Sequence, residues 1–273
     1  MTNQVLVVGA TGGVGQLAVA KALEKGYPVR VLTRSREKAE QMFGDRVEVA
    51  IGDTRQPETL APAMSGVTYI LCCTGTTAFP SARWNFDLPA NLNPFQQVQA
   101  WSKIFLNADY RNAKAQNSPQ QVDAAGVRYL VAAAPRNLNR FVFISSAGVE
   151  RKDKPPYNIL NAFGVLDAKQ QGEEAVIQSG LPYTIIRPGR LIDGPYTSYD
   201  LNTLLQAKTD GKLGVVVRAG DTLNGQTSRI DVAAACVECL SHPETERIAF
   251  AIVNQGNRSQ SLNWSELFSG MAK

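Results

Sequence analysis

An apolar strand-like run, Gln4-Val5-Leu6-Val7-Val8, passes straight into Gly9-Ala10-Thr11-Gly12-Gly13-Val14-Gly15, and a helical pattern begins at once behind it. Few architectures suit that order. Glycine at the turn removes side chains that would hold backbone N–H groups away from a phosphate, and the helix N-terminus behind it favours negative charge. The segment predicts a strand–turn–helix unit that binds a dinucleotide, against the alternative of a glycine turn with a structural role only. Leu17, Ala20 and Leu23 share one helix face in Val14–Lys25, and Gly26 closes it.

The alternation continues along the chain. Val29–Thr33, Val47–Ile51, Val67–Cys73, Arg140–Ser145 and Tyr183–Arg187 read as strands, with helices at Leu60–Met64, Val122–Ala134 and Ala168–Ser179. Strands alternating with helices imply parallel pairing through right-handed crossovers, hence an α/β fold with a doubly wound parallel sheet. A single domain, 1–273, is expected, with two departures. Residues 85–121 form an insertion after the fourth strand that carries Phe86, Phe95, Trp101, Phe105 and Tyr110. Disordered segments lack such aromatics. Val98, Trp101, Ile104, Phe105 and Ala108 fall at helical spacing, which predicts an ordered amphipathic helix, either bordering the ligand cleft or packed outside it. Residues 191–227, with Pro195, Gly211, Gly214, Gly220 and Gly225, suggest an irregular substrate lobe over the carboxyl ends of the strands, where ligands bind in such sheets.

Composition narrows the chemistry. Twenty-eight basic against 24 acidic residues leave a net charge of +4, too small and too dispersed for a nucleic-acid footprint. No apolar run approaches the ~18 residues of a membrane span. A single histidine, His242, forbids multi-histidine metal sites and is expected to face solvent near a helix end; no metal site is expected. Cys72 and Cys73 are neighbours in a strand and should point to opposite faces. Cys236-x-x-Cys239 lies in a helical run without a second pair, so all four cysteines read as buried structural thiols.

The second strand ends Val31-Leu32-Thr33-Arg34-Ser35-Arg36, with no acid before Glu37. A carboxylate there would meet the ribose of NAD, whereas arginine accommodates a 2′-phosphate. Arg34, Ser35 and Arg36 therefore predict a phosphate clamp and NADP(H) in preference to NAD(H). Gly52-Asp53 stands where a side chain meets the adenine, and Thr74-Gly75-Thr76, at the end of the fourth strand, stands on the nicotinamide side.

Gly9-x-x-Gly12-x-x-Gly15, Arg34, Gly52-Asp53, the strand end Ser145-Ser146-Ala147-Gly148 and Arg187-Pro188-Gly189 together resemble the atypical short-chain dehydrogenase/reductase family. Within it the chain is similar to the NmrA-like and biliverdin-IXβ/flavin reductase branch, and to chloroplast and cyanobacterial relatives. The likeness covers most of the chain except the insertion. It implies a Rossmann-type fold and NADP(H) held by Gly9, Thr11, Gly12, Gly13, Val14 and Gly15. Arg187, Pro188 and Gly189 lie beside the cofactor in this reading, and substrate sits under the C-terminal lobe. The N-terminus, Met1-Thr2-Asn3-Gln4, lacks the features of a secretory signal, so a cytoplasmic location is expected, or the stroma in a plastid lineage.

Extended members of the family carry Tyr-x-x-x-Lys with Glu four residues on; the tyrosine gives a proton and the lysine holds the ribose. Aligned on Lys169 and Glu173, the tyrosine position holds Val165. Ser145, Ser146 and Lys169 remain as catalytic candidates, with Lys169 also the ribose anchor. Tyr157 would lie about 18 Å from Lys169 along a continuous helix, and neither it, Tyr183 nor Tyr196 is expected to serve as the acid. The resemblance and the missing tyrosine lead to an NADPH-dependent reductase of a conjugated acceptor such as a flavin, quinone or linear tetrapyrrole. The alternative is a non-catalytic NADP(H)-binding sensor or assembly factor, with the insertion as its protein contact.

Overall fold

Side-chain alternation along the first strand already sets the layering of the computed structural model, which describes residues 3–80, 84–193, 199–206 and 213–272. In β1 (Gln4–Val8), Val5 and Val7 enter one hydrophobic core with Leu17, Val19 and Val232. Leu6 and Val8 enter another with Leu130, Phe141, Phe143 and Val176. A strand buried on both faces needs helices on both sides. The chain supplies them by returning to the sheet through β2 (Val29–Thr33), β3 (Glu48–Ile51), β4 (Val67–Cys72), β5 (Arg140–Ile144) and β6 (Tyr183–Pro188). Two residue pairs, β7 (Arg190–Leu191) and β9 (Gln226–Thr227), make a separate small sheet, while β8 (Leu213–Ala219) and β10 (Ile248–Asn257) join the main one. The helices are α1 (Gly15–Glu24), α2 (Arg36–Phe43), α3 (Pro94–Leu106), α4 (Ala108–Lys114), α5 (Gly126–Ala133), α6 (Tyr157–Leu160), α7 (Val165–Gln178), α8 (Leu201–Leu205), α9 (Arg229–Glu238) and α10 (Trp264–Ser269).

The eight-stranded sheet runs β3-β2-β1-β4-β5-β6-β10-β8. Every neighbouring pair is parallel except β8 on β10. Chain order reverses between β1 and β4, and that reversal opens a crevice at the carboxyl ends of those two strands. Both segments that follow them, Gly9–Gly15 and Cys73–Thr77, therefore meet at one place.

Several expectations need correction. The segment expected to be irregular contributes β8, whose Val215, Val216 and Val217 pair with Asn254, Val253 and Ile252. Its valine run is an edge strand, fixed by a partner some forty residues on, which local pattern does not reveal. Pro195, Tyr196 and Gly211 lie outside the described residues. The helix expected at Val122 starts instead as a π-helical turn, Gln120–Ala125, before α5. His242 is only partly exposed: its Nδ1 donates to the Glu238 carbonyl at 2.7 Å, its Nε2 is 3.1 Å from Ser265 Oγ, and the ring packs edge-on to Phe268. The cysteines are free, and Cys72 and Cys73 pack into opposite cores. Burial pushes the Cys72 thiol up to about 11 and the Cys239 thiol up to about 12.

Candidate functional site

The turn after β1 is built with no room for side chains. Gly9 has φ +77°, and a Cβ on it would lie 2.9 Å from the Cys73 carbonyl. A Cβ on Gly15 would lie 2.1 Å from the Gly9 oxygen, so helix α1 starts in direct contact with the turn. Gly12 N–H donates to Gly9 O at 2.9 Å. At Val14 no side chain caps the helix, and Gln16 N–H donates back to the Gly12 carbonyl at 3.1 Å.

A cleft of about 630 Å³ extends from this turn across the ends of β2 and β3. Arg34 and Lys38 line it and have no ion pair among the described residues. Ser35 Oγ accepts from Lys38 N–H at 3.2 Å and so caps α2, which presents Lys38 one turn along, on the cleft side. Arg36 turns away, with its guanidinium 3.5 Å from Glu40 one turn further on. Of the expected Arg34, Ser35 and Arg36, the first two line this cleft, together with Lys38. At the β3 end of the cleft, Gly52 is packed against Leu32 and the Thr59 carbonyl, each 2.9 Å from a would-be Cβ. Asp53 is held by Arg55, whose Nε donates to Oδ1 at 2.9 Å. Burial alone would raise the Asp53 pKa, but the Arg55 hydrogen bonds and charge hold it below the usual carboxylate value.

Beyond the glycine turn a second cavity, about 530 Å³, lies between Thr11–Val14, the Thr74–Thr76 loop and the end of β5. Val165, buried, forms part of its wall where a tyrosine was sought. Ser145 Oγ is buried and has no hydrogen-bond partner among the described residues, whereas Ser146 Oγ donates to the Ala147 carbonyl at 3.0 Å. Lys169 is also here, buried. Its Nζ donates to Ile144 O at 2.8 Å and Thr74 O at 3.1 Å, and lies 2.8 Å from Asp123 Oδ1. Arg229, at the start of α9, lines the same cavity and donates to the Asp193 carbonyl.

The third space is a chamber of about 980 Å³ that shares Ser145, Ser146, Leu160 and Leu191 with the second. Its walls are mainly apolar: Phe79, Pro155, Pro156, Ile159, Leu160 and Leu191. No Asp or Glu is among its described lining residues. Tyr157 reaches it because the helix does not run on to Lys169. Gly164, at φ +77°, separates α6 from α7, so the 18 Å separation expected of one continuous helix does not apply. The Tyr157 ring lies over Gly148, where a Cβ would come within 2.0 Å of it. Its hydroxyl donates to Asn224 Oδ1 at 2.7 Å and accepts from Arg151 at 3.2 Å. Arg151 in turn is 3.1 Å from Asp221, which also accepts Gly148 N–H at 2.8 Å and Glu150 N–H at 2.9 Å.

Pro188 and Gly189 line this chamber rather than the nucleotide cleft. Arg187 touches neither. It is buried, with Nε and Nη2 on the Glu173 carboxylate at 3.0 and 2.6 Å and Nη1 on Glu150 at 2.5 Å. Burial would lower its pKa; the Glu173 hydrogen bonds and charge outweigh that and raise it. Arg187 thus sits between two carboxylates and lines neither the cleft nor the chamber.

Matches to known proteins agree with this geometry. Residues 9–243 match the model of a family described as NAD(P)H-binding. The chain belongs to the NAD(P)H-binding family. Sanguinarine reductase of Eschscholzia californica is 30% identical over 97% of this chain and 94% of its own length. Photosystem II assembly factor Ycf39 of Trieres chinensis is 27% identical over 98% of this chain and 69% of its own. Among solved structures, the anaerobillin reductase ChuY of Escherichia coli O157:H7 superposes with a TM-score of 0.64 at 20% identity, covering 94% of this chain and 99% of that one. The atypical reductase resemblance of the motifs and the Rossmann-type α/β fold both stand.

The residues of this family member fit NAD(P)H on three counts. The cradle at Gly9 and Gly15 admits no side chain, the α1 N-terminus is uncapped, and Arg34 and Lys38 present unpaired positive charge at the same cleft. No helix among the described residues is long and apolar enough to cross a membrane. Lys38 was readable as the first-turn basic residue behind a Ser cap. Asp123, Tyr157 and Arg229 were not, because distant segments bring them to the site. The insertion supplies Asn117 to the nucleotide cleft. A run of aromatic rings steps from Trp84 through the insertion's Phe86, Trp101 and Phe105 to Phe163 and then to Phe79 in the chamber wall, each ring 5.6–6.1 Å from the next.

Proposed function

We propose that this chain is an NADPH-dependent reductase of a conjugated acceptor, a flavin, quinone or linear tetrapyrrole, and that no tyrosine supplies the proton. One observation carries the reading: the apolar chamber of about 980 Å³ that shares its Ser145–Ser146 wall with the cofactor-side cavity. When bound, NADPH supplies a hydride. The chain's part is to bind and orient. Gly9, Thr11, Gly12, Gly13, Val14 and Gly15 would hold the pyrophosphate, Arg34, Ser35 and Lys38 the 2′-phosphate, Gly52 and Asp53 the adenine side, and Thr74–Thr76 the opposite end. The Ser145 hydroxyl is free to hydrogen-bond an acceptor atom. A ketone becomes a localised alkoxide that needs a positioned acid. Val165 offers none, the Tyr157 hydroxyl is held by Asn224 and Arg151, and no carboxylate is among the chamber's described lining. A conjugated ring spreads the charge and takes its proton from water.

The test is NADPH oxidation by the purified protein with FMN, a quinone and a linear tetrapyrrole, beside simple ketones and aldehydes. Turnover with one of the first three and rates at least ~10²-fold lower with the carbonyl compounds is the expected result. A second reading, the non-catalytic NADP(H)-dependent sensor or assembly factor, is favoured by α3, where Phe95, Val98 and Leu106 are 71%, 68% and 85% exposed. Similarity to an assembly factor supports it too. Tight NADPH binding without turnover of any acceptor selects that reading. A cytoplasmic or stromal location belongs to both.

A further inference from the structure

An ammonium group has three N–H bonds, and three acceptors surround that of Lys169. These are the carbonyls of Ile144 and Thr74 and the carboxylate of Asp123, at 2.8, 3.1 and 2.8 Å. The Phe143 ring, with its centre 4.9 Å from Nζ, closes another side. A ribose hydroxyl approaching Nζ would meet contacts already in place, the two carbonyl hydrogen bonds and the Asp123 ion pair. Asp123 is fully buried, and its second oxygen accepts the Thr76 N–H at 3.3 Å. Lysine and aspartate thus both reach the Thr74–Thr76 loop, one through a carbonyl and the other through an N–H.

The surroundings are shaped for this pair. Asp123 comes from the π-helical turn Gln120–Ala125, at the foot of the insertion, and such turns recur at functional positions in helices. Gly172 of α7 lets that turn come close: a Cβ there would sit 2.4 Å from the Asp123 carbonyl oxygen. Gly75 lies directly on the pair, its would-be Cβ 3.5 Å from Lys169 Nζ and 3.7 Å from Asp123 Oδ1.

We propose that Asp123 and Lys169 form a buried staple that fixes the Thr74–Thr76 loop against the end of β5 and the foot of the insertion, and that Lys169 gives no hydrogen bond to NADPH. Both are positioning residues. The inference rests on NAD(P)H binding and not on the acceptor, so its test reads only cofactor affinity and stability and is blind to whether any acceptor turns over.

Removing one partner of a buried ion pair leaves a stranded charge, whereas replacing both by neutral groups is often nearly harmless. NADPH dissociation constants and thermal midpoints should be measured for Lys169→Met, Asp123→Asn and the double variant. In the double variant the asparagine still offers an oxygen to Thr76 N–H. Lys169→Met should lower the midpoint and weaken NADPH by about tenfold or more, and the double variant should return to within about threefold of the parent. A double variant with a parental midpoint but the weak NADPH binding of Lys169→Met would overturn the proposal, because the ammonium itself would then touch the cofactor. If Lys169→Met does not fold, Asp123→Ala decides by sign. A staple that loses its carboxylate binds NADPH more weakly and exchanges the Thr76 amide faster. A lysine freed to contact the cofactor binds NADPH equally well or more tightly, and that result also overturns the proposal.

Discussion

Most of the nucleotide cleft comes from the turns just behind β1, β2, β3 and β4, whereas the chamber beside it collects Phe79, Ser145, Tyr157, Leu191 and Asn224 from five separate stretches of chain. The two regions are also held differently. Backbone packing shapes the cleft, with Gly9, Gly15 and Gly52 in contact with neighbouring main chain. Side-chain hydrogen bonds shape the chamber, through Tyr157 to Asn224 and Arg151 to Asp221. A wall made of backbone accepts no added atom, because the main chain cannot move without disturbing the sheet. A wall made of side chains accepts exchange at modest cost. The cleft should therefore respond to single substitutions far more sharply than the chamber.

The largest effect is expected at Gly15→Val, which forces a Cβ into the Gly9 carbonyl. NADPH affinity measured by fluorescence titration should fall on the order of 10³-fold or more, about 4 kcal/mol. Near-parental affinity would break the comparison at its stronger end. Next comes Glu173→Ala, which strands the buried Arg187 guanidinium and should cost roughly 3–5 kcal/mol in urea unfolding. A loss below 1 kcal/mol would mean that Glu150 alone satisfies the arginine.

Arg34→Ala should remove a charge-assisted contact of roughly 1.5–3 kcal/mol, about 10- to 150-fold in NADPH affinity, and leave NADH affinity unchanged. Lys38→Ala should behave likewise and Arg36→Ala should not, since Arg36 faces Glu40. The reverse ranking would restore Arg36 to the clamp. Smallest is Tyr157→Phe, which removes a hydroxyl held by Asn224 and Arg151 and should cost about 1 kcal/mol of stability. Turnover of a flavin-like acceptor should stay within a few-fold of the parent. If hydride transfer stopped while NADPH still bound, Tyr157 would be the acid, and the chamber would be as intolerant as the cleft.

How legible each region was follows from the same contrast. The glycine turn, Arg34 and the alternation of strands with helices were readable because strand, turn and helix are neighbours in sequence and each carries its own signal. Lys38, and not Arg36, lines the cleft because the phase of a single turn decides which side chain faces it. The Ser35 cap fixes that phase, and it is a local signal. Tyr157 was set aside on the assumption of a continuous helix; the left-handed Gly164 that interrupts it is also a local feature, but its effect is on a distant wall. Lys169 was found by motif but its ion-pair partner was not, because Asp123 lies 46 residues away and meets it through the π-turn and Gly172.

By itself, then, the sequence determined the doubly wound α/β class, a dinucleotide turn after β1, a basic residue at the end of β2 and a valine where a tyrosine would stand. All of these rest on residue identity, or on contacts within one strand–turn–helix unit. Tertiary structure alone decided that β8 closes the sheet on β10, that Arg187 faces Glu173 and Glu150, and that Asp123 occupies the Lys169 ammonium. Buried charges and edge strands take their partners from whichever segment the packed core brings alongside. That choice is made by the whole chain, after its local elements have formed.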